Sequence, residues 1–485
     1  MTRTATALLA LALVTAGPAW AATEGSGGLA AQAEGGFCSE RPRDVDTRIA
    51  SAVNALTVSA PTTPPVAVLD TGVTGEVPEI GGRIVTPLDT TTGSQDGSDV
   101  DGHGSEVAGI VAGAPGLVQG VSPTSPIMPV RVFNRTGDSS VPWLVAGIDW
   151  AVANHAAVIN VSSSQLESDA SAGEIAQLTR ATTDAFNKGV LVVAAVGNNG
   201  NSQPVVPAAL PHVLGVGSSD LSGNRSTFSN TGPWVDLVSP ASSLIAPMPT
   251  AFCPSGYGVA NGTSFAAPAV AGAAALLAQL RPTLSPQQRF DVLRNSAHDV
   301  DPAGRDLETG NGLLNVQAAI NAPLPAAESS KEVDDDPYYV RGAFAAGHPL
   351  LLTNKRKVRL TGVLSPAKDP SDVYPVRLKK GERLIATATV SGADSLISLG
   401  FWKPTVGDFD VSTGVTKNQI VSSGGFSSTP ELKMRVTKSA TYYVSVEAPD
   451  AVDPDDPTDV APASEPYRLA LSKTPAPKKK PVKRH

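Results

Sequence analysis

The amino-acid sequence predicts an α/β protein, a mainly parallel sheet with helices on both faces, followed by a C-terminal all-β sandwich. Three observations predict it. From Val66 to about Ala319, short apolar runs alternate with stretches of helical period. A segment rich in Pro, Ser and Asp then interrupts the chain. Beyond it the helical period disappears, and β-formers recur between turn residues. Strands that are apolar throughout, separated by helices, belong to a sheet buried on both faces.

The elements follow in order. Val66 to Leu69 reads as a buried strand, and Glu106 to Ala112 as a helix opening just after His103. Ile127 to Val132 is the next strand. Leu144 to Ala153 has helical spacing, Val158 to Val161 is a strand, and Ile175 to Lys188 is helical until Gly189. Leu191 to Ala195 and Val213 to Val216 are strands. A long apolar helix, Phe265 to Leu280, follows Ser264 and stops before Pro282. Pro323, Pro325, Ser329, Ser330 and Asp334 to Asp336 read as a linker. Strands are then expected at Val358–Leu364, Tyr374–Leu378, Leu384–Val390, Leu396–Phe401, Leu432–Val436, Tyr442–Val446 and Tyr467–Leu471. The resulting domains are 44–322, a linker 323–334, and a β-sandwich 335–473, with a Pro-Lys tail over 474–485.

The ends and the composition narrow the setting. Arg3, the apolar run Ala5 to Val14 and Ala19-Trp20-Ala21 read as a secretory signal peptide, 1–21, followed by an N-terminal segment, 22–43. No later stretch offers the roughly twenty apolar residues of a membrane helix, so a secreted, extracellular protein without a membrane span is expected. The net charge of −8 argues against nucleic acid as a partner. The two cysteines, Cys38 and Cys253, are expected to pair in such a compartment; two buried thiols are the alternative.

Three segments carry chemistry. Val66-Ala67-Val68-Leu69-Asp70-Thr71-Gly72 delivers an acid at the carboxyl end of a strand, where open α/β sheets place their sites. Asp101-Gly102-His103-Gly104-Ser105 holds an imidazole between glycines, which allow close backbone approach. Asn261-Gly262-Thr263-Ser264-Phe265 sets a hydroxyl at the opening of a helix, where free N–H groups stabilise an oxyanion. Alone, each has a plain reading as a cap or a turn. Together, in the order Asp, His, Ser, they fit a catalytic triad of Asp70, His103 and Ser264. The other five histidines lack this setting, and nothing in their spacing suggests a metal site.

VAVLDTGV, DGHGSEVAGIVAG and NGTSFAAPAVAGAAAL resemble the three signatures of the subtilisin-like serine proteases, the subtilases, over roughly Val66 to Ala319. The resemblance implies a serine endopeptidase acting on protein or peptide substrates through an acyl-enzyme, with no required cofactor. It also implies an oxyanion hole from the Asn198 side chain and the Ser264 N–H, since Val193 to Gly200 is similar to the family's segment. Substrate would lie between Ser162, Ser163 and Ser164 on one side and Ala195, Val196 and Gly197 on the other.

The chain departs from the family pattern at several points. Ser105 and Glu106 stand where relatives carry Thr and often a second His, and Ala269 where many carry His. Ser163-Ser164-Gln165 replaces a Gly-containing edge. The loop Ala112 to Val118 lacks the Asn-rich stretch of the family's high-affinity calcium site, so that site is expected to be absent. The acidic loop Asp453, Asp455, Asp456 and Asp459 remains a calcium candidate, set against a solvated charge cluster. The residues before the catalytic strand are too few for the usual inhibitory pro-domain. Gly232 to Leu237 and the short N-terminal segment are weakly similar to mycosins. Asp372 to Glu382 and Tyr442 to Val446 resemble pre-peptidase C-terminal domains, which leaves cell-wall or surface contact through this domain and the basic tail as a further expectation.

Overall fold

The computed structural model describes residues 37–39, 53, 64–114, 118–300, 304–323, 351–353, 355–364, 371–390, 396–402, 409–410, 415–416, 419–423, 427–447 and 465–475. The expected signal peptide, most of the N-terminal segment and the linker, the acidic loop at 453–459 and the basic tail lie outside the described residues.

The strands in chain order are β1 (Phe37–Cys38), β2 (Val66–Asp70), β3 (Leu88–Asp89), β4 (Ile127–Arg131), β5 (Val158–Val161), β6 (Gln165–Leu166), β7 (Leu191–Ala195), β8 (Val205–Val206), β9 (Val213–Ser219), β10 (Leu237–Pro240), β11 (Leu244–Pro247) and β12 (Tyr257–Ala260). The helices are α1 (His103–Ala112), α2 (Val141–Ala153), α3 (Ala172–Asn187), α4 (Thr263–Leu280), α5 (Pro286–Asn295) and α6 (Val316–Asn321).

Seven strands form the central sheet in the order β10-β9-β7-β5-β2-β4-β3, every pair parallel. Both faces are covered, which explains the unbroken apolar runs. Along β2, Val66 and Val68 pack with α1 and α4, while Ala67 and Leu69 pack on the opposite face with α2 and α3. The register pairs Leu69 with Val161, and Val161 with Ala194. Asp70, Ser162 and Ala195 therefore leave three neighbouring strands at one level, at their carboxyl ends. That edge is where such a sheet presents a site.

The expected strands and helices are present, with differences at their ends. Helix α1 begins at His103 rather than Glu106, and α4 at Thr263 rather than Phe265. Their first turns contain glycine, serine or threonine, residues of modest helix propensity, and tertiary hydrogen bonds hold them. Helix α5 was not anticipated, although Ser285 and Gln288 form a reciprocal capping box and Pro286 opens it. Contrary to the expectation that no later stretch is long and apolar enough to cross a membrane, helix α4 is so by length and composition, and it is mostly buried in the core.

A small sheet in the order β1-β12-β11 lies outside the central one. Phe37 pairs with Val259 and Cys38 with Gly258. The Cys38–Cys253 disulfide closes this arrangement across a sequence separation of 215.

The C-terminal region is all β, as expected. Its strands are β13 (Lys357–Leu364), β14 (Ser371–Leu378), β15 (Arg383–Val390), β16 (Ser398–Trp402), β17 (Phe409–Asp410), β18 (Val415–Thr416), β19 (Gln419–Ser422), β20 (Glu431–Arg435), β21 (Ala440–Glu447) and β22 (Glu465–Thr474). Two antiparallel sheets, β13-β22-β15-β20 and β14-β21-β16-β19, share one core. Leu360, Leu384 and Tyr467 from the first meet Val376, Leu399 and Tyr442 from the second within it.

Replacing Cys38 and Cys253 with serine should lower stability by up to about 4–5 kcal/mol, because so long a loop restricts the unfolded chain. Denaturant unfolding in a Ser264→Ala background measures the loss. An unchanged midpoint would contradict it.

Candidate active site

Asp70 ends β2 and His103 opens α1, and the two meet. Asp70 Oδ1 lies 2.7 Å from His103 Nδ1 and also accepts the Thr71 N–H at 2.7 Å. Asp70 is 1% exposed and His103 3%. The flanking glycines permit this approach. A Cβ on Gly104 would lie 2.0 Å from the Gly72 carbonyl oxygen, and Gly72 itself has φ +109. Burial by itself disfavours the imidazolium. The Asp70 carboxylate opposes it through charge and hydrogen bond, and the balance lifts His103 to about 9. His103 Nε2 is buried and has no hydrogen-bond partner among the described residues.

Asp99, which the sequence reading did not single out, holds this corner together. Its Oδ1 accepts from Thr71 Oγ1 at 2.8 Å, Gly102 N–H at 2.8 Å and Asp101 N–H at 3.1 Å. Its Oδ2 accepts from Ser105 N–H at 2.8 Å and Ser105 Oγ at 2.6 Å. Thr71 Oγ1 in turn accepts the Gly104 N–H at 2.9 Å. One carboxylate thus ties the end of β2 to the first turn of α1, where an acidic group also suits the helix dipole. The hydroxyl at Ser105 does what a threonine hydroxyl could do there. The readable signal was an Asp four residues before the His, ahead of a helix with no side-chain cap of its own.

Ser264 lies in the first turn of α4, 2% exposed. Its hydroxyl donates to the Ser162 carbonyl at 3.0 Å, while the Ser162 hydroxyl donates to the Ser264 carbonyl at 2.7 Å. The second bond has a sequence cause. Pro268, inside α4, has no N–H for the carbonyl four residues back. That carbonyl belongs to Ser264, and Ser162 takes the place of the missing donor. Asn160 Nδ2 donates to Ser162 Oγ at 2.8 Å and fixes its rotamer. The Phe265 ring lies 5.0 Å, centroid to centroid, from the His103 ring, so the start of α4 packs against the imidazole. The Ser264 hydroxyl is thus set on Ser162 rather than on His103.

Asn198 is placed by α4 as well. Its Oδ1 accepts the Thr263 N–H and the Thr263 hydroxyl, both at 2.8 Å. Thr263 Oγ1 accepts the Gly197 N–H at 3.2 Å. Anchoring the oxygen fixes which way the carboxamide nitrogen is turned. Asn230, also missed in the sequence, shapes the same loop: its Oδ1 accepts the Asn199 N–H at 2.8 Å, and its N–H donates to the Gly197 carbonyl at 3.0 Å. Ser162, Ser163, Ser164, Ala195 and Val196 are all buried along this edge, and Gly197 has φ +97. A Cβ there would lie 2.5 Å from Asn230 Nδ2.

Among the described residues, no three His, Cys, Asp or Glu side chains group as a metal site. Residues 115–117 of the loop expected to lack calcium ligands lie outside the described residues.

Asp99→Ala removes the acceptor of five hydrogen bonds. It should cost about 2 kcal/mol, read from the unfolding midpoint in the Ser264→Ala background. A neutral substitution would show that the α1 opening is held by other contacts.

The subtilase family model matches residues 62–312, more than half of the chain. Subtilisin Savinase from Lederbergia lenta is 37% identical over 259 residues, covering 52% of this chain and 89% of that one. Subtilisin amylosacchariticus from Bacillus subtilis subsp. amylosacchariticus is 36% identical over 263 residues, covering 52% of this chain. That match spans 65% of the relative's own length. A solved structure described as a cold adapted subtilisin-like serine proteinase is 31% identical with a TM-score of 0.46, covering 54% of this chain and 94% of that chain. With its parallel sheet and its three signature segments, the chain belongs to the subtilase family.

Proposed function

We propose that the protein is a secreted serine endopeptidase in which Asp70, His103 and Ser264 act as the catalytic triad. The observation that carries this reading is the buried Asp70–His103 hydrogen bond, which leaves Nε2 as the imidazole's available nitrogen at the packed start of α4. With Nδ1–H donated to the carboxylate, Nε2 is the basic nitrogen.

The chemistry then follows from the residues. The Ser264 hydroxyl turns from the Ser162 carbonyl to Nε2 and attacks the scissile carbonyl carbon. His103 takes the proton, and Asp70 stabilises the imidazolium. The Asn198 carboxamide and the Ser264 N–H donate to the oxyanion. His103 returns its proton to the leaving amine as the C–N bond breaks, and a second passage with water releases the acyl group. The same rotation frees the Ser162 carbonyl to accept a substrate N–H, so the edge at Ser162, Ser163 and Ser164 can pair with an extended peptide. Ala195, Val196 and Gly197 form the facing wall. Export is supported by the leader-like N-terminus and the disulfide. The β-sandwich is an accessory module in this reading.

Cleavage profiling of the purified protein on a peptide library tests the proposal. Wild type should cut peptides, Ser264→Ala should not, and Asn198→Ala should lose about 10²–10³ in turnover. Equal cleavage by wild type and Ser264→Ala would refute it. The pH profile supplies a further test. His103 must be neutral to accept a proton, so kcat/KM should rise from neutral into alkaline solution. Asp70→Asn removes the charge that favours the imidazolium. It should move that inflection to lower pH and cut kcat by about 10⁴. An unmoved inflection would contradict the role given to Asp70.

A further inference from the structure

One buried ionisable group near His103 has no part in the chemistry above. Glu106 lies on α1 one turn beyond His103 and is 2% exposed. Its Oε1 has no hydrogen-bond partner among the described residues. The space for it is made by a glycine: a Cβ on Gly258 would lie 2.1 Å from Glu106 Oε1. Gly258 sits on β12, paired with Cys38 of β1 and Ala246 of β11, so the disulfide-closed sheet covers the carboxyl. Met248 Cε lies 3.2 Å from the same Gly258 position and makes that cover apolar.

We propose that Glu106 is a positioning residue for His103: a carboxyl sealed beneath β11 and β12, with no donor on Oε1, whose state of ionisation sets how tightly the imidazole holds a proton. The proposal rests on His103 acting as the base only for its catalytic consequence.

The groups around the carboxyl are few. His103 lies on its own helix, Asp99 and Asp101 in the turn before it, and Asp70 on β2. Helix α4 contributes no ionisable side chain. Strand β12 brings Tyr257, whose hydroxyl donates to Glu79 at 2.8 Å, and β11 brings none. Three aspartates oppose a fourth negative charge, His103 favours it, and burial disfavours it most. Together these push Glu106 up to about 8. A carboxylate oxygen without a donor is costly in such a place, and a carboxylic acid far less so. Glu106 stands three residues along the helix from His103, and once ionised its charge strengthens the imidazole's hold on a proton.

Two measurements in the Ser264→Ala protein, with and without Glu106→Gln, test this independently of any activity. Glutamine keeps the shape and cannot ionise. The first is thermal unfolding against pH. A glutamate that holds its proton when folded and releases it near 4.5 when unfolded loses stability as pH rises between those values. The glutamine variant should therefore gain on its parent from pH 4.5 to about 8 and then level off; parallel curves would overturn the proposal. The second is the NMR titration of His103. The variant should lose the inflection near pH 8, and its imidazole should bind a proton about tenfold or more weakly at higher pH. Superimposable titrations would equally overturn it. Absence of proteolysis in the wild type would count against the proposed function and leave both measurements valid.

Discussion

The site is organised around one hydrogen bond formed out of water, between the Asp70 carboxylate and His103 Nδ1. Neither group could be buried alone without a large desolvation cost. Each is tolerable because the other is there, and because glycines at 72 and 104 let β2 and α1 approach closely. Asp99 makes that approach rigid by accepting hydrogen bonds from both elements. The imidazole is therefore fixed in direction before any substrate arrives, the kind of preorganisation on which acid–base catalysis depends.

A second constraint acts at the start of α4. Pro268 withholds a donor from the Ser264 carbonyl, and Ser162 supplies one. The α4 opening is consequently tied to the end of β5, and through Thr263 to Asn198 at the end of β7. Parallel register brings these ends to one level. Sheet, helix and loop thus share responsibility for the positions of Ser264, His103 and Asn198. In the proposed reaction, the resting Ser264 hydroxyl and an incoming peptide N–H would compete for the Ser162 carbonyl.

Much of this was legible in the sequence, for physical reasons. Val66 to Leu69 is apolar on every residue because both faces of the sheet are covered, and a run of that kind has one plain reading. The glycines around His103 and the helix after Ser264 mark their neighbours in the same direct way. The contributions of Asp99 and Asn230 were not legible. Asp99 reaches the Thr71 hydroxyl 28 residues away and Asn230 the Asn199 N–H 31 residues away, and an Asp or Asn in a loop has many commoner uses. Short strands such as β3, β6 and β8 escaped because two residues have no period. The starts of α1 and α4 were placed two or three residues late, since tertiary contacts rather than propensity set them.

The most direct measurement is a crystal structure of the protein trapped with a peptidyl phosphonate. The expected adduct has phosphorus bonded to Ser264 Oγ, His103 Nε2 hydrogen-bonded to it, one of its oxygens facing Asn198, and the Ser162 carbonyl accepting a peptide N–H. An adduct on another residue, or a Ser264 hydroxyl still resting on Ser162 beside a bound and unreacted inhibitor, would contradict it.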